Sequence, residues 1–247
     1  MKATSVRGLL PLLLFLAAWQ LLGTEGSPYF PPPSEWGPAL MDLWDNGQLR
    51  PAVIATLATF SLALGVATVL GALLGFLVGT WEGADRALGP TFEFFRAMPP
   101  AAMVPVATLL IGYNEQMKVT VVTIAAVWSI MLNTRAGVRR LDPLLLDTAA
   151  SLHLNRLDRI GKVVFPALLP SIFLGVRVAA PIALVITLLV EILTQVPGVG
   201  GLIATSQRTF QSDQVYGLIV VAGIISLAIN MLVVALEAYT FRHRPGR

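Results

Sequence analysis

The chain is 247 residues long, 55% hydrophobic and only 13% charged, with 17 lysines and arginines against 14 acidic residues. An average soluble domain carries about 25% charge, so this composition excludes an ordinary soluble protein and points to an all-α integral membrane protein. The absence of cysteine removes disulfide frameworks and thiolate metal sites, and the two histidines, His153 and His243, have no second ligand at a metal spacing.

Residues 8–23 (GLLPLLLFLAAWQLLG) follow Lys2 and Arg7, the layout of a secretory signal. No A-x-A-like site follows, which favours an uncleaved first span. Residues 24–51 are polar, broken by SPYFPPPSEW and carrying Glu25, Glu35, Asp42 and Asp45; they read as an external loop. Residues 53–80 hold 28 positions without a charge, more than the roughly 20 needed to cross a bilayer. Ala67, Gly71, Gly75 and Gly79 recur there at every fourth residue, a stripe that lets another helix approach closely.

Residues 81–96, with Glu82, Asp85, Arg86, Glu93 and Arg96, read as an internal loop or surface helix broken near Pro90. Residues 97–112 (AMPPAAMVPVATLLIG) form a third span, and Pro105 predicts a kink within it. Such a kink is tolerated beside protein or a water-filled cavity. After a short external loop at 113–118 come a fourth span at 119–134, a fifth at 171–194, a glycine-containing loop at 196–213 and a sixth span at 215–240.

With both termini inside, thirteen lysines and arginines fall in the cytosol, while Arg50, Lys118 and Arg208 fall outside and Arg177 sits in a span. That asymmetry satisfies the positive-inside rule. The expected organisation is therefore a first helix and external loop (1–50), a core domain of the remaining spans (51–242) and a cytosolic tail (243–247).

Arg177 and Glu191 are read as the two ionised residues within spans. They stand fourteen residues apart, roughly 21 Å along one helix, and cannot pair directly. Arg177 either attracts an anion or anchors to lipid headgroups, and Glu191 holds a gate or the glycine loop. Asn133, Thr134, Thr187 and Thr194 either line a path or join helices by hydrogen bonds. Trp19, Trp81 and Trp128 are interface anchors or packing residues.

The stretch 142–170 (DPLLLDTAASLHLNRLDRIGKVVFPALLP) is the least membrane-like part of the middle of the chain. It carries Arg156, Arg159 and Lys162 with Asp142, Asp147 and Asp158, too many charges for hydrocarbon. Leu145, Leu146, Ala149, Leu152 and Leu154 share one broad helical face, with Asp147 near the helix start. A second short helix is expected from Asn155 or Arg156 to Phe165, stopping near Pro166. Two short cytosolic helices joined to a span make a protruding docking element.

The run D-T-A-A-x-x-H, then nine residues, then V-x-F-P from Val163 to Pro166 resembles the EAA loop (E-A-A-x3-G-x9-I-x-L-P) of permease subunits of ABC-type importers. Three further stretches, RAMPPAAMVPVATLLIGYNE, LNTRAGVRRLDPLLLDTAASL and FPALLPSIFLGVRVA, are similar to the branch that takes up nitrate, sulfonates, taurine and thiamine precursors. The resemblance implies the type I importer transmembrane fold in a bacterial inner membrane, with about six spans and a cytosolic coupling loop at 142–166. It also implies a homodimer, two cytosolic ATPases that bind ATP and Mg, and an external solute-binding protein. The path would work by alternating access, and no nucleic acid takes part. Leu145, Asp147, Thr148, Ala149, Ala150, Leu152, His153 and Pro166 are the implied ATPase-coupling residues, and Met98, Pro99, Met103, Asn133, Arg177, Thr187 and Glu191 the candidate path residues. The match has departures: Asp147 stands for Glu, Thr148 for the first Ala, and His153 for the turn Gly.

No G-x4-G-K-S/T run occurs, since Gly161-Lys162 is followed by Val163. The chain therefore has no P-loop and is expected to be a transport subunit with no cofactor of its own rather than an enzyme. An ATP-independent carrier or a membrane-embedded enzyme is the alternative. No cluster at catalytic spacing in the spans supports the enzyme reading.

Overall fold

The computed structural model describes residues 4–152 and 154–240, which form helices, turns and connecting loops. In chain order these helices are α1 (Thr4–Leu22), α2 (Pro33–Asp45), α3 (Leu49–Thr80), α4 (Glu82–Ala97), α5 (Pro100–Ile111), α6 (Glu115–Arg139), α7 (Pro143–Ser151), α8 (Arg156–Arg159), a π turn (Ile160–Val164), α9 (Phe165–Thr194), α10 (Val199–Arg208) and α11 (Ser212–Thr240). His153 and the tail at 243–247 lie outside the described residues.

Among the described residues, four helices are long and apolar enough to cross a membrane: α3, α6, the continuous run Arg156–Thr194, and α11. A fifth candidate is the pair Arg86–Ala97 and Pro100–Ile111, bent by 90°. The apolar part of α1, Leu10–Leu22, is shorter. The third expected span is thus part of a broken element, and its break lies at Met98 and Pro99 rather than at Pro105. Both residues precede a proline and take extended backbone, with ψ of 124° and 123°, because the α region is disfavoured there. Helix α5 runs through Pro105, and α4 runs through Pro90.

Within the described residues the chain divides into two compact units. One takes in residues up to Leu57 together with Glu191–Ile225, and the other Ala58–Val190 together with the chain from Ser226. In the first unit, the segment expected as an external loop contains α2, started by Pro33 in the first turn and burying Trp36, Ala39 and Leu43. Those three positions recur at helical spacing, so one face turns inward while the acidic residues stay out. Trp19 serves packing here: it stacks on Phe30 at 4.9 Å and meets Trp36 and Tyr216 edge-on at 5.1 and 5.0 Å.

In the second unit α6 is the buried helix, with Met117, Val121, Val122, Ala126, Ile130 and Met131 all removed from the surface. The small-residue stripe of α3 packs on it. A Cβ added at Gly71 would meet Ile130, at Gly75 the backbone oxygen of Met131, and at Gly79 Val138. Helix α9 approaches α6 just as closely, since a Cβ at Gly175 would lie 2.8 Å from the Cα of Ile130. Val164, Leu168 and Ile172 of the π turn and α9 close this core against Ala72, Phe76, Val138 and Leu141.

Helix α6 is longer than its expected span. It starts at Glu115, capped by Asn114, whose side chain accepts from the Met117 amide. Lys118, expected in an external loop, is fully buried, and its Nζ lies 2.9 Å from Glu115. Glu115 also accepts from the Thr59 hydroxyl at 3.0 Å. A buried ammonium is tolerated only with such partners, which the loop assignment did not anticipate.

Candidate functional site

The stretch expected as a coupling loop is built as two helical pieces. Asp142, not Asp147, caps α7: its carboxylate accepts from the Leu144 amide at 2.9 Å, satisfying one of the orphan amides of the first turn. Asp147 is the fifth residue of α7 and exposed. Thr148 is also exposed, and its hydroxyl donates to the Leu144 carbonyl at 2.7 Å. The expected apolar face divides. Ala149 is 2% exposed and packs within this chain, so it cannot fill a groove elsewhere. Leu145 and Leu152 stay exposed, joined by Leu144 and by Leu157 of α8 at 83%. Ala150 lies in α7, and His153 falls outside the described residues.

Asn155 caps α8 by accepting from the Asp158 amide at 2.7 Å. The helix does not stop at Pro166. It passes through the π turn and continues as α9, giving one run of 39 residues from Arg156 to Thr194. A proline ring presses on the carbonyl four residues back; the wider π turn directly before Pro166 relieves that contact.

A second feature is a cavity of about 440 Å³ among α4, α5, α6 and α9, lined by Arg96, Trp128, Ser129, Asn133, Val178 and Ile182 among others. Trp128 is held by stacking on Phe95 at 6.2 Å and by Phe92 at 6.1 Å. Asn133 donates one N–H to the Ser129 carbonyl at 2.8 Å, which orients its amide. Arg96 lies 3.6 Å from Glu93, both more than half exposed, a pairing that solvent weakens. The start of α5, which no side chain caps, borders the cavity at Pro100. A guanidinium, a hydroxyl and an amide set in apolar walls suit a small anion bearing oxygen acceptors.

Of the candidate path residues, Asn133 is the one that lines this cavity. Met98 and Pro99 form the α4–α5 bend, and Met103 is half-buried in α5. Thr187 is buried and donates to the Ala183 carbonyl at 2.8 Å, a bond within its own helix. Arg177 lies 3.4 Å from Glu237 of α11. Glu237 is thus a third ionised residue within a span; a charge scan of 215–240 alone reveals it. Arg96 escaped notice as a site residue because its charge placed it in a loop.

Glu191 is fully buried and closes a tight knot in the first unit. Its carboxylate accepts from the Thr56 hydroxyl at 2.9 and 3.1 Å and from the Gly200 amide at 3.0 Å. Thr56 in turn accepts from the Val199 amide at 2.9 Å. Both orphan amides belong to the first turn of α10, a helix that occupies the expected glycine loop. The carboxylate thus serves as an anion at a helix N-terminus. Sequence offered no sign of Thr56 as its partner.

The family model for binding-protein-dependent transport system inner membrane components matches residues 67–243. The bicarbonate transport system permease CmpB of Synechococcus elongatus is 30% identical, over 95% of this chain and 90% of that protein. The nitrate import permease NrtB of Leptolyngbya laminosa is 30% identical over 73% and 65% of the two chains. A putative aliphatic sulfonates permease, SsuC of Bacillus subtilis, is 26% identical over 97% and 88%. Among solved structures, the MetNI methionine ABC transporter superposes with a TM-score of 0.66 at 15% identity, covering 78% of this chain and 95% of that one. An amino acid ABC transporter gives 0.63, also at 15% identity, over 83% and 98%; these two establish the fold. The chain belongs to the inner membrane components of binding-protein-dependent transport systems, as a multi-pass permease subunit of an ATP-driven importer.

Proposed function

We propose that this permease pairs with a second copy and forms the path for a small oxyanion or sulfonate, moved by alternating access. The observation that carries the substrate class is the cavity lined by Arg96, Ser129 and Asn133, with Trp128 fixed beside it. The names of its relatives, which concern bicarbonate, nitrate and sulfonates, support the same class. ATP and Mg bind on two separate cytosolic ATPases, an external binding protein delivers the solute, and both termini face the cytosol, in keeping with the distribution of lysine and arginine.

Uptake of labelled bicarbonate, nitrate and taurine by the complete transporter in proteoliposomes tests the reading. Arg96→Gln is expected to lower kcat/KM for the transported anion roughly 10- to 100-fold, the worth of one charge-assisted hydrogen bond, with Arg96→Lys retaining part of it. Unchanged uptake in Arg96→Gln would remove the assignment.

The coupling role falls to Asp147, facing a basic residue of the ATPase, and to Leu144, Leu145, Leu152 and Leu157, which are exposed here. Each leucine buried in a partner groove contributes about 1.5–3 kcal/mol. Leu152→Glu and Leu157→Glu are therefore expected to leave the permease's own melting temperature in place while abolishing co-purification with the ATPase. Asp147→Arg should weaken that association more than Asp147→Asn. Wild-type assembly in all four variants would overturn this docking surface.

A further inference from the structure

Away from the coupling leucines, two adjoining cavities lie at the root of the coupling loop. The outer one, about 450 Å³, is lined by Arg156 and Arg159 together with Thr80, Val138 and Leu141. The inner one, about 190 Å³, has almost wholly apolar walls that include Ala72, Leu73, Leu168 and Ile172. Phe76, Ile160 and Val164 line both, so an arginine-rimmed mouth leads into an apolar recess.

The position along the helix matters as much as the chemistry. A run of 39 residues from Arg156 to Thr194 measures about 58 Å if helical throughout, far more than the roughly 30 Å of hydrocarbon. Its first turns, carrying Arg156, Arg159 and Lys162, therefore lie at headgroup level or beyond. Lys162 is engaged by Asp158 at 2.7 Å. Arg156 and Arg159 have no carboxylate within salt-bridge distance among the described residues.

We propose that this composite cavity binds one anionic phospholipid, with its phosphate on Arg156 and Arg159 and an acyl chain in the recess behind Phe76. Two guanidiniums match a phosphate diester by charge and by donor geometry. The apolar recess distinguishes a lipid from free phosphate, which has nothing to place there. The π turn Ile160–Val164 supplies walls to both cavities and packs against α7. A lipid seated there would thus brace the coupling helix from the membrane side.

The test uses the full-length permease exchanged into detergent with phosphatidylglycerol, phosphatidylcholine or inorganic phosphate, and bound lipid is read by native mass spectrometry. Phosphatidylglycerol is expected to be retained in preference to phosphatidylcholine. The double variant Arg156→Gln, Arg159→Gln should bind it about 30-fold more weakly, while Arg86→Gln, an equal kind of charge loss on α4, should not. Ala72→Leu, which fills the recess, should reduce lipid retention without changing the charge. Equal retention of the two lipids, unaltered binding by the double variant, or displacement of the lipid by millimolar phosphate would each overturn the proposal. Arg156→Lys with Arg159→Lys keeps the question open to decision if the glutamine pair fails to fold: retained phosphatidylglycerol preference supports the site, and its loss to the level of phosphatidylcholine refutes it.

Discussion

Replacing Gly198 by alanine is expected to destabilise the permease by about 3 kcal/mol. Gly198 has φ of 154°, and a Cβ there would land on the carboxyl carbon of Glu191. Neither side can yield cheaply, because the Glu191 carboxylate is pinned by Thr56 and by the Gly200 amide. Glu191→Ala is expected to cost about 3–5 kcal/mol, since it strands a buried amide and hydroxyl and opens a cavity. Glu191→Gln, which keeps volume and one acceptor, should cost less. Thermal unfolding of the detergent-solubilised chain, followed by tryptophan fluorescence, should show drops of about 6–12 °C for a 3 kcal/mol loss at this chain length. The double variant Gly198→Ala, Glu191→Ala should lose less than the sum of the two, because each removes the other's partner. A Gly198→Ala protein melting with the wild type would show that the knot does not hold α10.

The second large effect concerns the contact between α3 and α6. Gly75→Val is expected to destabilise by about 3 kcal/mol or more, because even its Cβ would sit 2.5 Å from the Met131 carbonyl oxygen, and a helix backbone cannot step aside as a side chain can. Gly71 and Gly79 give a graded comparison. Their nearest obstacles are the Cβ atoms of Ile130 and Val138, at 2.8 and 2.7 Å, which move only with their helix, so alanine at either position should also destabilise, somewhat less than at Gly75, where the contact is 2.5 Å. If Gly75→Ala melts with or above the other two, the ranking by closeness of approach is wrong.

The long apolar runs and the glycine stripe were legible in the sequence because each depends on composition or periodicity alone. Hydrocarbon rejects charge whatever the neighbours, and a repeat of four places small residues on one side of any helix. The polar segment between α6 and α9 was legible for the same reason, as a cluster of charges flanked by spans. Its fine structure was not. The π turn before Pro166, the inward position of Ala149 and the capping by Asp142 depend on what packs beside them. The 90° break before α5 is written in Met98-Pro99-Pro100, where two successive residues before a proline are kept out of the α region.

By itself, then, the sequence determined a multi-pass helical permease with a polar segment near its middle. Only the tertiary structure decided which partners the ionised groups find: Glu191 with Thr56 and the start of α10, Arg177 with Glu237, and Glu115 with Thr59. Such partners lie as far as 135 residues apart in the chain. A buried charge must find a partner, but the charge itself does not say where along the chain that partner lies; helix packing does.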